Sequence, residues 1–146
     1  MDDANASAMG DVAGHAGLFS TAGDVSVFAQ MMLNGGIYAH RRLVGRETIE
    51  QFTARVEIGD SARALGWDVP VSPSSTGQFF SPRGYGHNGF TGTSLWIDPE
   101  KDLFVVLLTN RVYPSAENIK IREIRPRLHD AIIEGLGLVS GRAAGR

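Results

Sequence analysis

Six consecutive apolar residues, Leu103-Phe104-Val105-Val106-Leu107-Leu108, follow directly on the turn-forming stretch Asp98-Pro99-Glu100-Lys101-Asp102. The run is far short of the ~20 residues that cross a bilayer. Proline followed by charged residues between two β-rich runs is hairpin chemistry, so Leu103 to Thr109 reads as a strand paired with the one before it. A strand that is apolar at every position is expected to be covered on both faces. Upstream, Tyr85 to Phe90 and Thr93 to Ile97 read as two further short strands around Thr91-Gly92. The cover is expected from a last helix, in which Ile121, Ile124, Leu128, Ile132 and Leu136 recur at helical spacing. Pro126 lies inside that pattern and either starts its regular part or kinks it.

The N-terminal part reads as helical. Ser20 to Asp24 supplies hydroxyl caps and an acid for a helix start, and Val25, Phe28, Ala29, Met32 and Leu33 form its stripe. Asn34-Gly35-Gly36 supplies the left-handed stop. A second helix is expected from Arg46 to Phe52, with Ile49 and Phe52 facing inward. Leu65 to Val69 reads as a strand and Val71 to Pro82, rich in proline and serine, as a loop. The small, polar tail after Gly137 is expected to fray.

With 146 residues the chain has the size of one domain, and 42% hydrophobic with 21% charged residues is a globular composition. A formal net charge of −2 argues against nucleic acid as the main partner. Zero cysteine excludes disulfides, thiolate metal sites and cysteine nucleophiles. His15, His40, His87 and His129 form no H-x-x-x-H pair, so neither a metal nor another cofactor is expected. Met1-Asp2-Asp3 carries the wrong charge for a secretory leader, and no apolar h-region follows; a full-length secreted protein is not expected to open this way.

Two segments concentrate residues suited to chemistry: Gly14-His15-Ala16-Gly17-Leu18-Phe19-Ser20-Thr21 and Tyr85-Gly86-His87-Asn88-Gly89-Phe90-Thr91-Gly92-Thr93. Taken alone, each is first of all a turn with a solvated or hydrogen-bonded imidazole. The second segment offers more. Glycines beside a strand histidine let a ligand approach the strand edge. The amide after such a glycine, here that of Phe90, can point at a developing oxyanion.

Together with Leu107-Leu108-Thr109-Asn110-Arg111 and Arg125-Pro126-Arg127-Leu128-His129-Asp130, these segments in this order resemble the C-terminal part of the serine β-lactamase-like family. That family includes class C β-lactamases, penicillin-binding DD-peptidases and related esterases, and the resemblance covers nearly the whole chain. It implies an α/β fold of the α+β kind, an antiparallel sheet with packed helices, of which residues 1–146 form a single partial domain. It also implies acyl transfer by a serine in Ser-x-x-Lys, helped by a Tyr or Ser of a second motif. His87-Asn88-Gly89 matches the family's third motif in its His-x-Gly form. By that match His87 contributes electrostatics or hydrogen bonding, Asn88 faces the substrate's polar group, Gly89 allows close approach, and the Phe90 amide is half of the oxyanion hole. His15 and Ala16 would line the acyl pocket.

The first two motifs have no match in this chain. The lysines are Lys101 and Lys120, and Asp98 and Glu117 stand three residues before them. Two residues before the asparagines stand Asp3, Met32, Gly86, Leu108 and Ala116, none of them Tyr or Ser. Ser94 is near the third motif but has no base beside it. The expectation is therefore the C-terminal part of a hydrolase acting on an ester, amide or β-lactam carbonyl of a small-molecule or peptide substrate, inactive alone. Its partner is the missing N-terminal half, and surface exposed without that half is expected to promote self-association. Members of this family are often periplasmic or secreted. A non-catalytic ligand- or partner-binding domain on the same fold is the alternative. The basic residues Arg111, Lys120, Arg122, Arg125 and Arg127 read as a solvated helix face, and His129 as a polar-face or packing residue.

Overall fold

The hairpin chemistry around Asp98-Pro99 does produce paired strands. In the computed structural model, which describes residues 3–139, the order of elements is α1 (Ala4–Ala8), α2 (Ala22–Leu33), β1 (Ile37–Tyr38), β2 (Arg41–Arg42), α3 (Arg46–Thr53), β3 (Val56–Ile58), β4 (Ser61–Arg63), β5 (Tyr85–Asn88), β6 (Ser94–Asp98), β7 (Leu103–Leu107) and α4 (Ile121–Gly135). Strands β5, β6 and β7 form an antiparallel sheet in that order. Trp96 stands opposite both Gly86 and Val105, and Leu95 opposite both His87 and Val106. Because side chains alternate along a strand, the Trp96 row and the Leu95 row face opposite ways.

Each face has its own cover. On the Leu95 side, Ala29, Met31 and Met32 of α2 pack with Ile49, Tyr85 and Ile97, and Phe104 joins them. On the Trp96 side, Trp96 and Val105 pack with Phe80 and with Ile133 of α4. Helix α2 starts where its sequence says it should: Thr21 Oγ1 accepts from the Asp24 amide at 3.1 Å. It ends in a Schellman turn, with Gly36 N donating to Met31 O and Gly35 N to Met32 O.

Several expectations are corrected by how far each cover reaches. The α2 cover stops short, so β7 is not covered along its length: Val105 is buried, while Leu108 just past the strand is 44% exposed. Val25 and Phe28, expected in the α2 stripe, face the resulting opening instead, and Met31 takes a core position. Phe52 is likewise exposed, whereas Ile49 is buried as expected. The stripe of α4 is displaced by one residue. Ile121, Arg125, His129 and Ile133 are buried, and Ile124 and Leu136 are exposed. One position on a helix is about 100° of rotation, so the displaced stripe carries Arg125 and His129 inward. The solvated basic face expected there thus loses Arg125 to the interior.

Between Thr53 and Tyr85 the strands lie elsewhere than expected. Leu65 to Val69 makes only isolated bridges at Asp68, one to Arg63 and one to Gly86, and with Gly86 it exchanges amide and carbonyl hydrogen bonds of 2.8 and 3.0 Å. The strands are β3 and β4, a hairpin closed by the two-residue loop Gly59-Asp60, with Gly59 at φ +59°. Past α4, Leu138 and Val139 pack against the Trp96 cluster and Lys101 Nζ donates to Leu138 O at 2.9 Å, so the beginning of the tail is docked. The rest of it, residues 140–146, and Met1-Asp2 at the other end lie outside the described residues.

Asp98 ties the loop before β5 to the turn after β6. Its carboxylate is fully buried and accepts from Ser81 N (2.7 Å), Ser81 Oγ (2.7 Å) and Glu100 N (3.1 Å). Asp98→Ala leaves two buried Ser81 donors unmatched, and each such group costs about 1–3 kcal/mol. Urea denaturation is expected to show a loss of about 2–4 kcal/mol for Asp98→Ala and a smaller loss for Asp98→Asn, which keeps an acceptor.

Candidate functional site

The opening left by α2 is a cleft of about 900 Å³ between that helix and the Leu95 face of the sheet. Val25 and Phe28 form one wall, Leu95, Val106 and Leu108 the other, and Phe19 and Ser20 line the cleft where the chain enters α2. His87, the third residue of β5, stands on this face and is exposed, with Nδ1 3.1 Å from Asn88 O. Apolar walls with one imidazole at the rim suit a ligand with an apolar body and a polar reacting end.

The loop joining β5 to β6 closes the end of the cleft beside His87. Gly89 N donates to Thr93 O at 2.8 Å and Gly92 N to Gly89 O at 3.2 Å, which makes Gly89 to Gly92 a β-turn. Thr109 Oγ1 donates to Gly92 O (2.8 Å) and Arg111 N to Thr91 O (2.9 Å), fastening the turn to the chain after β7. Phe90 is the second residue of this turn. Its amide takes part neither in the turn's hydrogen bonds nor in the β5–β6 ladder. A Cβ on Gly89 would lie 2.3 Å from Thr93 Oγ1, so glycine is what lets the two sides of the loop close together there.

The structure brings together His87, Gly89 and the Phe90 turn, and separates them from the other expected site residues. Asn88 follows His87 on the strand and so faces the opposite way. Its Oδ1 accepts from Trp96 Nε1 at 3.1 Å and its Nδ2 donates to Ser75 Oγ at 2.9 Å, in a smaller recess of about 310 Å³. Facing a substrate in the main cleft is therefore not its place in this structure. His15 and Ala16 do not line the cleft either. His15 Nε2 lies 3.5 Å from Asp3 Oδ1, and Ala16 O accepts from Ala13 N, which keeps the glycine loop folded on itself; its continuation, Leu18 to Ser20, is what reaches the cleft. The Ala6 amide and His15 together hold the Asp3 carboxyl below its usual pKa.

Four residues that the sequence did not single out as site residues support the wall. Arg125 Nη2 donates to Gly89 O (3.0 Å) and Thr93 O (2.7 Å). Arg111 Nε donates to Phe90 O at 2.7 Å, and its guanidinium lies 4.3 Å from the Phe90 ring centroid. His129 is fully buried, with Nδ1 2.8 Å from Arg125 O and 3.1 Å from Ser75 O. Both partners are carbonyls, so Nδ1 carries the proton. Ser75 in turn receives Asn88. The hydroxyl of Ser94 is buried with no hydrogen-bond partner among the described residues, and no base stands beside it. Burial raises the Tyr85 phenol to about 12. Among the described residues no three histidines or acids gather into a metal-binding group.

Comparison with known proteins places this geometry in context. The family model described as Beta-lactamase matches residues 1–128. Two Salmonella proteins, from S. agona and S. typhi, each carrying the name "Putative D-alanyl-D-alanine carboxypeptidase", are 44% identical over 116 residues, covering 77% of this chain and 27% of their own length. The chain thus spans about a quarter of these relatives. A crystal structure of a beta-lactamase from Mycobacterium bovis superposes with a TM-score of 0.62 at 26% identity, over 80% of this chain and 44% of that one.

His129 makes the back of the wall sensitive to acid. Burial lowers its pKa below the ordinary 6.5, against the opposing pull of the Arg125 and Ser75 carbonyls. The unfolded chain therefore takes up this proton at a higher pH than the folded one. The contribution is fully present above pH 6.5 and is lost as pH falls below it. Denaturation at stepped pH is expected to show that acid loss, and His129→Gln, itself less stable, is expected to lack this component.

Proposed function

The chain belongs to the beta-lactamase family, and on that premise we propose that it forms the third-motif wall of a serine hydrolase acting through an acyl-enzyme. The observation that carries this reading is the amide of Phe90, left out of ladder and turn and standing between Gly89 and Thr91, both of which line the cleft that also holds His87. A serine oxygen attacks the carbonyl carbon of an ester, amide or β-lactam. The carbonyl oxygen becomes an oxyanion and accepts from Phe90 N–H, the leaving group departs with a proton, and water then releases the acyl group. His87 at the rim supplies a hydrogen bond or a favourable charge beside the reacting centre.

In this reading the nucleophile and its base come from polypeptide outside the 146 residues. No Ser-x-x-Lys occurs in them, and Asp98, which stands where that serine would be for Lys101, is buried against Ser81. Two features are suited to receive the complementary part: the cleft is open on the side of Leu18 and Phe19, and the outer edge of β7 has no strand partner among the described residues. A peptide ending in D-alanyl-D-alanine, the substrate in the relatives' name, is the first acyl donor to test.

The test uses a p-nitrophenyl ester and a chromogenic cephalosporin, with intact-mass detection of adducts from a mechanism-based inhibitor. The chain alone is expected to stay silent and unlabelled, and to turn over substrate once the upstream polypeptide is added. An adduct on the chain alone would contradict the reading. Silence in both conditions, with ligand still bound, would favour a non-catalytic binding domain.

Phe90 gives a sharper variant. Proline is favoured at the second position of a β-turn and has no N–H, so Phe90→Pro is expected to lower kcat by roughly 10²–10³-fold while Phe90→Ala, which keeps the amide, changes it far less. The isolated chain is expected to self-associate through the β7 edge and the cleft walls. Analytical ultracentrifugation finding only monomer would count against that expectation.

A further inference from the structure

The buried guanidinium of Arg125 has an assignment that the family resemblance does not supply. Arg125 is 7% exposed, and neither it nor Arg111 forms an ion pair with a carboxylate among the described residues. A buried cation needs hydrogen-bond partners, and the ones Arg125 finds are main-chain oxygens, those of Gly89 and Thr93 at 3.0 and 2.7 Å. Gly89 O and Phe90 N belong to one peptide unit. That unit is planar and trans, so its carbonyl and its N–H point in opposite directions. Fixing the oxygen toward α4 turns the hydrogen away from α4. The next carbonyl, Phe90 O, is held by Arg111 Nε at 2.7 Å. Consecutive peptide planes are thus each gripped by a guanidinium, and the turn has little freedom to rotate the N–H between them.

We propose that Arg125 is a positioning residue: by hydrogen-bonding the Gly89 carbonyl it aims the Phe90 N–H and, by polarising the shared peptide, makes that N–H a stronger donor. The inference rests on the reading of Phe90 as an oxyanion donor. Charge-assisted hydrogen bonds are shorter and about twice as strong as neutral ones, and hydrogen bonds in series polarise one another in a low-dielectric setting. The source of the charge lies behind the wall, on α4, so it acts through the peptide and does not touch substrate. His129, one helical turn further along α4, holds Ser75 and through it Asn88. The helix therefore braces this wall at more than one place.

Nuclear magnetic resonance on the 15N-labelled chain tests the aiming directly. In Arg125→Met the one-bond N–H residual dipolar coupling of Phe90 is expected to leave the value set by the alignment of β5 to β7, while those of Leu95 and Ile97 stay on it. Arg125→Lys, which keeps a charged donor, is expected to fall between wild type and Arg125→Met, and it replaces the methionine variant if that one does not fold. A folded variant with an unchanged Phe90 coupling would overturn the proposal.

The second arm is kinetic, on the chain combined with the upstream polypeptide. Arg125→Met is expected to lower kcat at least ~10-fold, part of the roughly 10²–10³-fold that one oxyanion donor supplies, with KM within about twofold. Arg125→Lys is expected to recover part of the loss. Turnover that survives a displaced Phe90 coupling would remove the catalytic consequence. If the combined wild-type protein is inert, the hydrolase reading fails, and the coupling alone still decides whether Arg125 aims the amide.

Discussion

Alternation along β5 and β6 is the constraint on which the arrangement depends. A pair of strands covered by α2 on one side and α4 on the other has one set of side chains for each helix. His87 and Leu95 belong to the α2 set and Asn88 and Trp96 to the α4 set. A slip of one residue would exchange them, putting Trp96 into the cleft and His87 behind the sheet. What fixes the register is the fit of Trp96 over Gly86: a Cβ at residue 86 would lie 2.5 Å from the indole. The missing side chain at Gly86 leaves the indole its room, and Trp96 Nε1 donates to Asn88 Oδ1.

The energetics of the two faces differ, and the difference matches their tasks. Around α2 the contacts are apolar and stop early, which leaves Phe28, Val106 and Leu108 beside open space. Behind the sheet, the α4 face combines the Phe80, Trp96 and Ile133 cluster with Arg125 and His129, whose partners are main-chain carbonyls. Burying such groups is costly unless they are matched. Arg125 Nη2 and His129 Nδ1 are matched and fix the geometry, whereas Arg125 Nε and His129 Nε2 have no hydrogen-bond partner among the described residues. An open apolar cleft thus rests on a polar, strongly specified back.

How much of this could be read in the residues follows from the kind of signal each one leaves. The three strands, the start and stop of α2 and the turn at Pro99 were legible because capping hydroxyls, glycines and apolar runs act locally. The α4 stripe was misplaced by one residue because apolar periodicity ignores a buried Arg or His. Arg125 and His129 at i and i+4, in register with Ile121 and Ile133, were a visible alternative stripe. The β3–β4 hairpin went unread although Gly59-Asp60 is a two-residue turn signal. His87 and the Phe90 amide are singled out by the motif, and His87 does line the cleft. Ser75 left no trace, since its partners His129 and Asn88 are 54 and 13 residues away. The departure of Asn88 from the cleft follows from alternation, which a motif written as a string does not encode.

A main-chain group at residue 90 has an evolutionary corollary. Nineteen of the twenty amino acids carry the same N–H, so a substitution at this position keeps that group while exchanging a side chain that, as Phe90, is 56% exposed and, among the described residues, has its ring in contact only with the Arg111 guanidinium. On the proposed hydrolase reading, the rim of the cleft is thus open to remodelling for new acyl groups without loss of the oxyanion donor. On that reading, selection would fall on Arg111 and Arg125, which hold the turn's carbonyls.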